Sequence, residues 1–177
     1  MADNYLIVVD MQNDFVTGSL GTPEARAIVG RVIKKVQNFN GIVIFTKDTH
    51  YDNYLSSSEG KKLPVPHCIV NSDGWQLIPD LDRMQMENSW DVYEKNTFGS
   101  VDLTHDLLER SQSDPIGSIE LIGLCTDICV VSNALLLKAH LPEVPILVDA
   151  SCCAGVTPEK HQAALETMRS CQIEILP

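Results

Sequence analysis

Cys129 lies where a cysteine could act as a nucleophile. It falls within residues 125–130, which follow an apolar run at 119–124 and overlap an apolar-periodic segment at 128–139. These patterns predict a strand, a tight turn and a helix that has Cys129 in its first turn. The helix dipole and unpaired backbone N–H groups favour a thiolate there. The pattern indicates a cysteine hydrolase, and the alternative is a buried cysteine that packs as a small hydrophobe.

Two charged residues at other strand ends could assist such a cysteine. Asp10 ends an apolar run, and a carboxylate at the carboxyl end of a strand can act as a general acid or base. Lys95 follows a short strand-like segment and would stabilise the anionic forms of a nearby thiol and carboxylate. The structural alternatives are a loop-capping aspartate and a solvated lysine.

A third group of residues has the composition of a metal site. Asp48 and His50 are separated by one residue, so in an extended chain they point the same way. His67, in a loop stiffened by prolines, could be a third ligand, and Glu59 could ligate directly or hold a metal-bound water. Imidazole and carboxylate ligands suit Zn²⁺, Fe²⁺ or Mn²⁺. The alternative is a polar loop with unrelated histidines.

Length and charge restrict the class of protein. The chain has 177 residues, enough for one α/β domain at 1–177, and its formal charge is −11. This acidic balance argues against a nucleic-acid or anionic-membrane partner. The sequence shows no signal-peptide pattern and no apolar run near the roughly 20 residues of a membrane span. We therefore expect a cytoplasmic protein whose six cysteines are reduced.

Buried strands alternate with amphipathic helices along the chain. The predicted strands are 5–10, 42–46, 92–93, 119–123, 146–149 and 173–176, and the predicted helices are 25–36, 102–110, 128–139 and one that starts after Thr157. Residues 47 to about 91 are expected to be irregular, apart from short helical turns near 73–78. The alternation indicates a three-layer α/β/α sandwich with a mainly parallel sheet. In such sheets ligands bind beyond the carboxyl ends of the strands, where the polar residues described above lie.

The chain resembles the isochorismatase-like cysteine hydrolases and, within that family, most resembles nicotinamidases. Three segments carry the resemblance, in the family's order: LIVVDMQNDF at 6–15, YEKNTF at 93–98 and GLCTDICV at 123–130. The resemblance implies the family's Rossmann-like hydrolase fold and a catalytic triad of Asp10, Lys95 and Cys129. It also implies that backbone N–H groups of Cys125 and Cys129 hold the oxyanion, with a cis peptide bond between Leu124 and Cys125. True isochorismatases lack the nucleophilic cysteine, so amide chemistry is favoured.

The resemblance also implies a metal and a substrate. The ligand set of nicotinamidases corresponds to Asp48, His50 and His67, with Glu59 as a direct or water-mediated ligand, and zinc is preferred over iron or manganese. The implied reaction converts nicotinamide to nicotinate and ammonia through a cysteine thioester. The metal would bind the ring nitrogen, and Phe15 would pack against the ring. Family members form dimers or tetramers, so we expect a homo-oligomer that acts on a small-molecule amide.

One departure from the family pattern leaves the exact amide open. Nicotinamidases often have an aromatic residue three positions before the last metal histidine, where this chain has Pro64. One alternative is a metal-independent amidase for a carbamoyl or ureido amide such as N-carbamoylsarcosine, against which the retained metal set argues. The other is a non-catalytic binding protein on this fold, against which the complete triad argues.

Overall fold

Six parallel strands form one sheet in the computed structural model, which describes residues 2–177. In chain order the strands are β1 (Asp3–Val9), β2 (Ile42–Asp48), β3 (Asp91–Lys95), β4 (Ile116–Leu124), β5 (Ile146–Ala154) and β6 (Glu174–Leu176). Their order across the sheet is β3-β2-β1-β4-β5-β6, and every neighbouring pair is parallel. The chain winds outward from β1 in one direction and then from β4 in the other. A crevice therefore opens between the carboxyl ends of β1 and β4, where ligands bind in such sheets.

Helices cover both faces of this sheet. They are α1 (Asn13–Val16), α2 (Pro23–Asn38), α3 (Ser58–Lys62), α4 (Pro79–Asn88), α5 (Val101–Ser113), α6 (Val131–His140) and α7 (Pro158–Ser170). Alternate residues of β1 enter two separate cores, because successive side chains of a strand point to opposite faces. One core includes side chains of α5, α6 and α7, and the other includes side chains of α2 and α4. The predicted three-layer α/β/α sandwich is confirmed.

Capping residues begin two helices where the sequence predicts them. The Thr22 hydroxyl accepts a hydrogen bond from the Ala25 N–H at 3.0 Å, and Pro23 occupies the first helical position of α2. Thr157 caps α7 in the same way, accepting from the Lys160 N–H at 3.3 Å.

Two segments differ from the sequence prediction, one in part. Residues 47–91 are not irregular throughout, because they contain α3 and the ten-residue α4. In α4 only Leu81 and Met84 are buried, so its apolar periodicity is weak. The helix predicted at 128–139 is confirmed from residue 131 onward as α6, but its first turn belongs to a π-helical turn, Thr126–Val130. Single π-helical turns of this kind occur frequently at functional sites.

No helix within residues 2–177 combines the length and the apolar character that a bilayer crossing requires.

Candidate active site

Three of the predicted residues meet at the carboxyl ends of neighbouring strands. Asp10 directly follows β1, Lys95 is the last residue of β3, and Cys129 lies in the π-helical turn after β4. All three side chains are buried, and Asp10 has no exposed surface. The topology of the sheet therefore brings Asp10 to Lys95 and Cys129, which are themselves 34 positions apart in the sequence.

Asp10 is held between strands β1 and β2. Its backbone has a positive φ of 48°, and its N–H donates to the Thr46 carbonyl oxygen at 3.2 Å. The Thr46 hydroxyl donates to Asp10 Oδ1 at 2.7 Å. Lys95 Nζ lies 2.6 Å from Oδ2, yet Oδ2 has no well-aligned hydrogen bond among the described residues. Thus one carboxylate oxygen is fixed and the other can accept a proton.

Lys95 links the acid to the thiol. Its Nζ lies 3.6 Å from Cys129 Sγ, within hydrogen-bonding distance for sulfur. Burial alone would lower the pKa of Lys95, but the negative charge of the adjacent Asp10, together with that of Asp48, outweighs burial and raises the pKa. Lys95 is therefore a buried cation that can stabilise negative charge on either neighbour.

The surroundings of Cys129 act on its pKa in opposite directions. Burial and the nearby Asp10 carboxylate raise the pKa of the thiol well above its ordinary value, although Lys95 opposes them. Burial therefore opposes the thiolate that the helix dipole is expected to favour, because a buried anion loses its hydration. Burial also raises the pKa of Asp10, again against Lys95. The site therefore places a thiol of raised pKa next to a carboxylate of raised pKa.

The backbone around Cys125 forms one wall of the site. The peptide bond between Leu124 and Cys125 is cis, as the family resemblance predicts. Within residues 2–177 the Cys125 N–H has no hydrogen-bond partner. Gly123 has a φ of 113°, and a Cβ there would lie 2.1 Å from the Val9 carbonyl oxygen. Only glycine permits this close approach of β1 and β4.

A second group of side chains converges beside the first. The ligand atoms of Asp48, His50 and His67 all lie within 4.8 Å of one another, and all three residues are buried. His50 Nε2 is 2.9 Å and His67 Nε2 is 3.4 Å from Asp48 Oδ2. Their pairing follows from β2, which ends at Asp48, and from a parallel bridge between His50 and Ile69 that brings the His67 loop alongside.

The chemistry of these atoms fits a divalent cation. His50 Nε2 is buried without a well-aligned hydrogen bond in the described part of the chain. His67 Nδ1 lies 2.8 Å from the Val65 carbonyl oxygen, which as an acceptor leaves Nε2 free to act as a ligand. Burial would raise the pKa of Asp48, but the two nearby histidines and the charge of Lys95 outweigh burial and lower it. The Asp48-His50-His67 group can thus hold a divalent metal.

Glu59 faces this group from α3. Its Oε1 lies 3.8 Å from His50 Nε2 and 3.7 Å from His67 Nε2. The Ser57 hydroxyl caps α3 by accepting from the Gly60 N–H at 2.9 Å, which sets the position of the helix. The structure therefore brings all four predicted metal residues together.

Gln12 is a supporting residue that sequence reasoning missed. It is fully buried, and its Oε1 accepts from the Asp48 N–H at 2.8 Å while its Nε2 donates to the Asp48 carbonyl oxygen at 2.8 Å. Gln12 thereby ties the segment that follows Asp10 to the end of β2. A polar residue that follows or interrupts an apolar run can indicate a buried hydrogen-bonding role. Gln12, after the apolar β1 segment, and Thr46, inside β2, are both of this kind.

Both groups border one cavity of about 300 Å³. Asp48, Glu59 and His67 line it on the metal side, and Cys125 and Cys129 line it on the nucleophile side. Phe15 also lines it, with its ring centroid 5.6 Å from that of His67. Further lining residues come from segments whose proximity no local pattern indicates: Leu63, Phe98, Ile128, Val156 and Lys160. Leu63, next to the divergent Pro64, contributes to the wall.

The family assignment follows from comparison with known proteins. Residues 4–176 match the family model described as the isochorismatase domain. This chain belongs to the isochorismatase family. It is 28% identical to the nicotinamidase/pyrazinamidase of Mycobacterium tuberculosis over 187 aligned positions, which cover 97% of each protein. The family membership predicted from the three sequence segments is confirmed.

Solved structures extend the similarity to the whole isochorismatase fold. The nicotinamidase PncA of Bacillus subtilis superposes with a TM-score of 0.83 at 27% identity, covering 99% of both chains. The pyrazinamidase of Pyrococcus horikoshii in complex with zinc superposes with a TM-score of 0.77 at 26% identity, covering 98% of both chains. The protein is a hydrolase of this family, and its cysteine-containing site is consistent with a cysteine-dependent amidase.

Proposed function

We propose that this protein hydrolyses nicotinamide to nicotinate and ammonia, with Cys129 as the nucleophile. The observation that carries the proposal is the contact of Lys95 Nζ with both Asp10 and Cys129, at 2.6 and 3.6 Å, beside a cavity that a metal-type group also lines. A nucleophile, a proton acceptor and a cation in contact are what acyl transfer through a covalent intermediate requires. Relatives named nicotinamidase support the choice of substrate.

In the first half-reaction the thiol becomes an acyl carrier. Asp10 Oδ2 takes the proton from Cys129 Sγ as the sulfur attacks the amide carbonyl carbon. The raised pKa of Asp10, caused by burial, makes the carboxylate a stronger base than an exposed aspartate. Asp10 then gives the proton to the leaving nitrogen, and ammonia departs. Cys129 is left as a thioester.

In the second half-reaction water releases the acid. Asp10 accepts a proton from a water molecule that attacks the thioester carbonyl, and the proton returns to the departing sulfur. Lys95 remains positively charged throughout and stabilises the negative charge as it moves between Asp10 and Cys129. One acid thus serves both half-reactions, and no net proton is consumed within the triad.

The oxyanion and the ring have separate binding groups. The Cys125 N–H, which lacks a hydrogen-bond partner among the described residues, and the Cys129 N–H hold the oxyanion of each tetrahedral intermediate. Asp48, His50 and His67 would hold one divalent ion, zinc in this proposal, with Glu59 as a direct or water-mediated ligand. When bound, the ion supplies a Lewis acid for the pyridine nitrogen, remote from the reacting carbonyl. Phe15 packs against the ring.

Three further expectations accompany this proposal. The chain acts as a single domain, it forms a homo-oligomer, and it works in the cytoplasm. Size-exclusion chromatography with light scattering tests the oligomer directly, and a monomer at micromolar concentration would remove that expectation without affecting the chemistry.

Ammonia release from a small panel of amides tests the function. We expect turnover of nicotinamide and pyrazinamide, with the acid product identified by chromatography, and loss of turnover after chelation that returns with Zn²⁺, Fe²⁺ or Mn²⁺. N-carbamoylsarcosine is the comparison substrate. Turnover of the carbamoyl amide alone, unaffected by chelator, would reject nicotinamide hydrolysis in favour of the metal-independent alternative.

A further inference from the structure

A hydrogen bond connects the nucleophile turn to α7. Thr126 Oγ1 lies 2.8 Å from His161 Nδ1, and Thr126 is fully buried. Thr126 belongs to the same π-helical turn as Cys129 and follows Cys125, whereas His161 lies in the first turns of α7. We propose that His161 is a positioning residue, which holds this turn so that Cys129 and the Cys125 N–H keep their reactive placement. The inference rests on the proposed role of Cys129 as nucleophile.

A second contact fastens the same turn to the segment before α7. Asp127 Oδ1 accepts a hydrogen bond from the Val156 N–H at 2.9 Å. Gly155 lies between these contacts and leaves no space for a side chain, because a Cβ there would lie 2.8 Å from the His161 backbone nitrogen and 2.9 Å from Asp127 Oδ1. Two side chains of the turn therefore reach α7 and its leading segment, with no room between them. Val156 also lines the cavity, so this junction connects the nucleophile turn to the substrate wall.

His161 acts through Thr126 and not by proton transfer to substrate. Burial lowers the pKa of His161, although the Asp127 carboxylate opposes the shift, so the ring is neutral at neutral pH. His161 does not line the cavity, but Thr126, to which it is hydrogen-bonded, lies in the same turn as Cys129. A neutral imidazole shares one hydrogen bond with the Thr126 hydroxyl, which an asparagine amide at the same position can replace.

The chain offers a matched control for this contact. His140 is also half-buried, and its Nδ1 lies 3.0 Å from the Leu136 carbonyl oxygen at the end of α6. It contacts no part of the nucleophile turn in the hydrogen bonds of the described residues. Removing either imidazole thus deletes one hydrogen bond of a half-buried histidine, but the His140 bond lies within α6 and only the His161 bond reaches the nucleophile turn.

The test measures the reactivity of Cys129 without any amide substrate. Iodoacetamide alkylation of Cys129 is followed by mass spectrometry in the wild-type protein and in His161→Leu, His161→Asn, Thr126→Val and His140→Leu, with kcat and KM for nicotinamide measured in parallel. We expect His161→Leu and Thr126→Val to change the alkylation rate and to lower kcat by about tenfold, the effect of losing one buried hydrogen bond. KM stays near wild type, and the melting temperature falls by only a few degrees, as expected for the loss of one hydrogen bond. His161→Asn restores both rates to within about threefold, and His140→Leu leaves them unchanged.

Several results would overturn the inference. One is an unchanged alkylation rate and kcat in His161→Leu and Thr126→Val, and another is an equal loss in His140→Leu. A lowered melting temperature with normal alkylation would mean that the contact only stabilises α7. If His161→Leu does not fold, Thr126→Val decides the outcome. Because alkylation needs no nicotinamide, a protein that fails to hydrolyse nicotinamide still tests the role of His161.

Discussion

Two lysines of this protein each lie between two carboxylates, but only one of them borders a nucleophile. The active-site trio consists of Lys95, Asp10 and Asp48, with Nζ 2.6 Å from Asp10 Oδ2 and 3.7 Å from Asp48 Oδ1. It lies at the carboxyl ends of three strands, and the lysine side chain is 2% exposed. Its lysine also contacts the nucleophile, with Nζ 3.6 Å from Cys129 Sγ.

The helix trio consists of Lys35, Glu120 and Asp149. Lys35 reaches from α2 onto the sheet, where its Nζ lies 2.5 Å from Glu120 Oε1 and 3.1 Å from Asp149 Oδ2. Its side chain is 27% exposed. The two carboxylates come from β4 and β5, within the strands and not after them. The helix trio therefore joins α2 to the sheet.

The two aspartates closest to these lysines shift their pKa in opposite directions. Asp149 Oδ1 accepts from the Ser151 N–H at 3.0 Å and the Ser151 hydroxyl at 2.7 Å. These bonds and Lys35 outweigh burial, so the pKa of Asp149 falls below its ordinary value. For Asp10 burial dominates and the pKa rises. Similar ion pairs thus give a satisfied anion in one place and a usable base in the other, and the balance between burial and hydrogen bonding decides which.

The strongest test of this contrast exchanges each aspartate for asparagine. We expect Asp10→Asn to lower kcat/KM for nicotinamide by about 10⁴-fold, because one carboxylate serves both half-reactions. Cys129→Ala should lower kcat/KM at least as much, while its melting temperature stays near that of the wild type. Asp149→Asn should keep kcat/KM within about threefold, since it lies outside the cavity. Steady-state kinetics measure all three, and activity of Asp10→Asn within tenfold of wild type would remove Asp10 from the triad.

Replacing each lysine by methionine sharpens the same comparison. Lys95→Met should lower kcat by about 10²–10³-fold, since a buried charge that stabilises the transition state is lost. Lys35→Met should leave kcat near wild type. The measurement is kcat at saturating nicotinamide, and equal losses in both variants would show that the two trios do not differ in function.

The Asp48-His50-His67 group should affect the binding of the substrate ring more than the chemistry of the triad. His67→Ala should raise KM for nicotinamide by about tenfold or more and lower the bound metal, because a ligand is removed. A ring-free amide should be affected less, since the ion orients the ring and not the carbonyl. Metal analysis and kinetics on both substrates provide the readouts, with His140→Ala as the control. An equal loss for both substrates at unchanged metal content contradicts this division.

The smallest expected effect is on stability. Lys35→Met should lower the free energy of unfolding by about 1–3 kcal/mol near neutral pH, because two partly buried carboxylates lose their cation. Asp149 has a depressed pKa in the folded state, so its contribution is present above its unfolded pKa of about 3.9 and is lost as the pH falls through the folded value. The difference between variant and wild type should therefore shrink below about pH 4. Urea unfolding at several pH values checks this, and a difference that does not change with pH would contradict the linkage.

Much of the fold and the site could be predicted from local patterns. Continuous apolar strands and the Thr-Pro-Glu helix starts at 22–24 and 157–159 predicted the layers, because burial and capping depend on nearby residues. The two-residue spacing of Asp48 and His50 predicted their convergence for the same reason. α4 was missed because its surface is mostly polar, and its helical form depends on the sheet against which Leu81 packs.

The sequence by itself determined which residue types stand at the strand ends, and hence the candidate nucleophile, acid, lysine and metal ligands. Only the tertiary structure decided that the pKa of Cys129 rises, since burial is a property that no local pattern reports. It also decided that Thr126 meets His161, 35 positions away, and that Asp10 and Asp149 differ in basicity. The physical reason is that residue types and spacing act over a few positions, whereas desolvation and hydrogen bonding depend on everything that surrounds a group after the chain has folded.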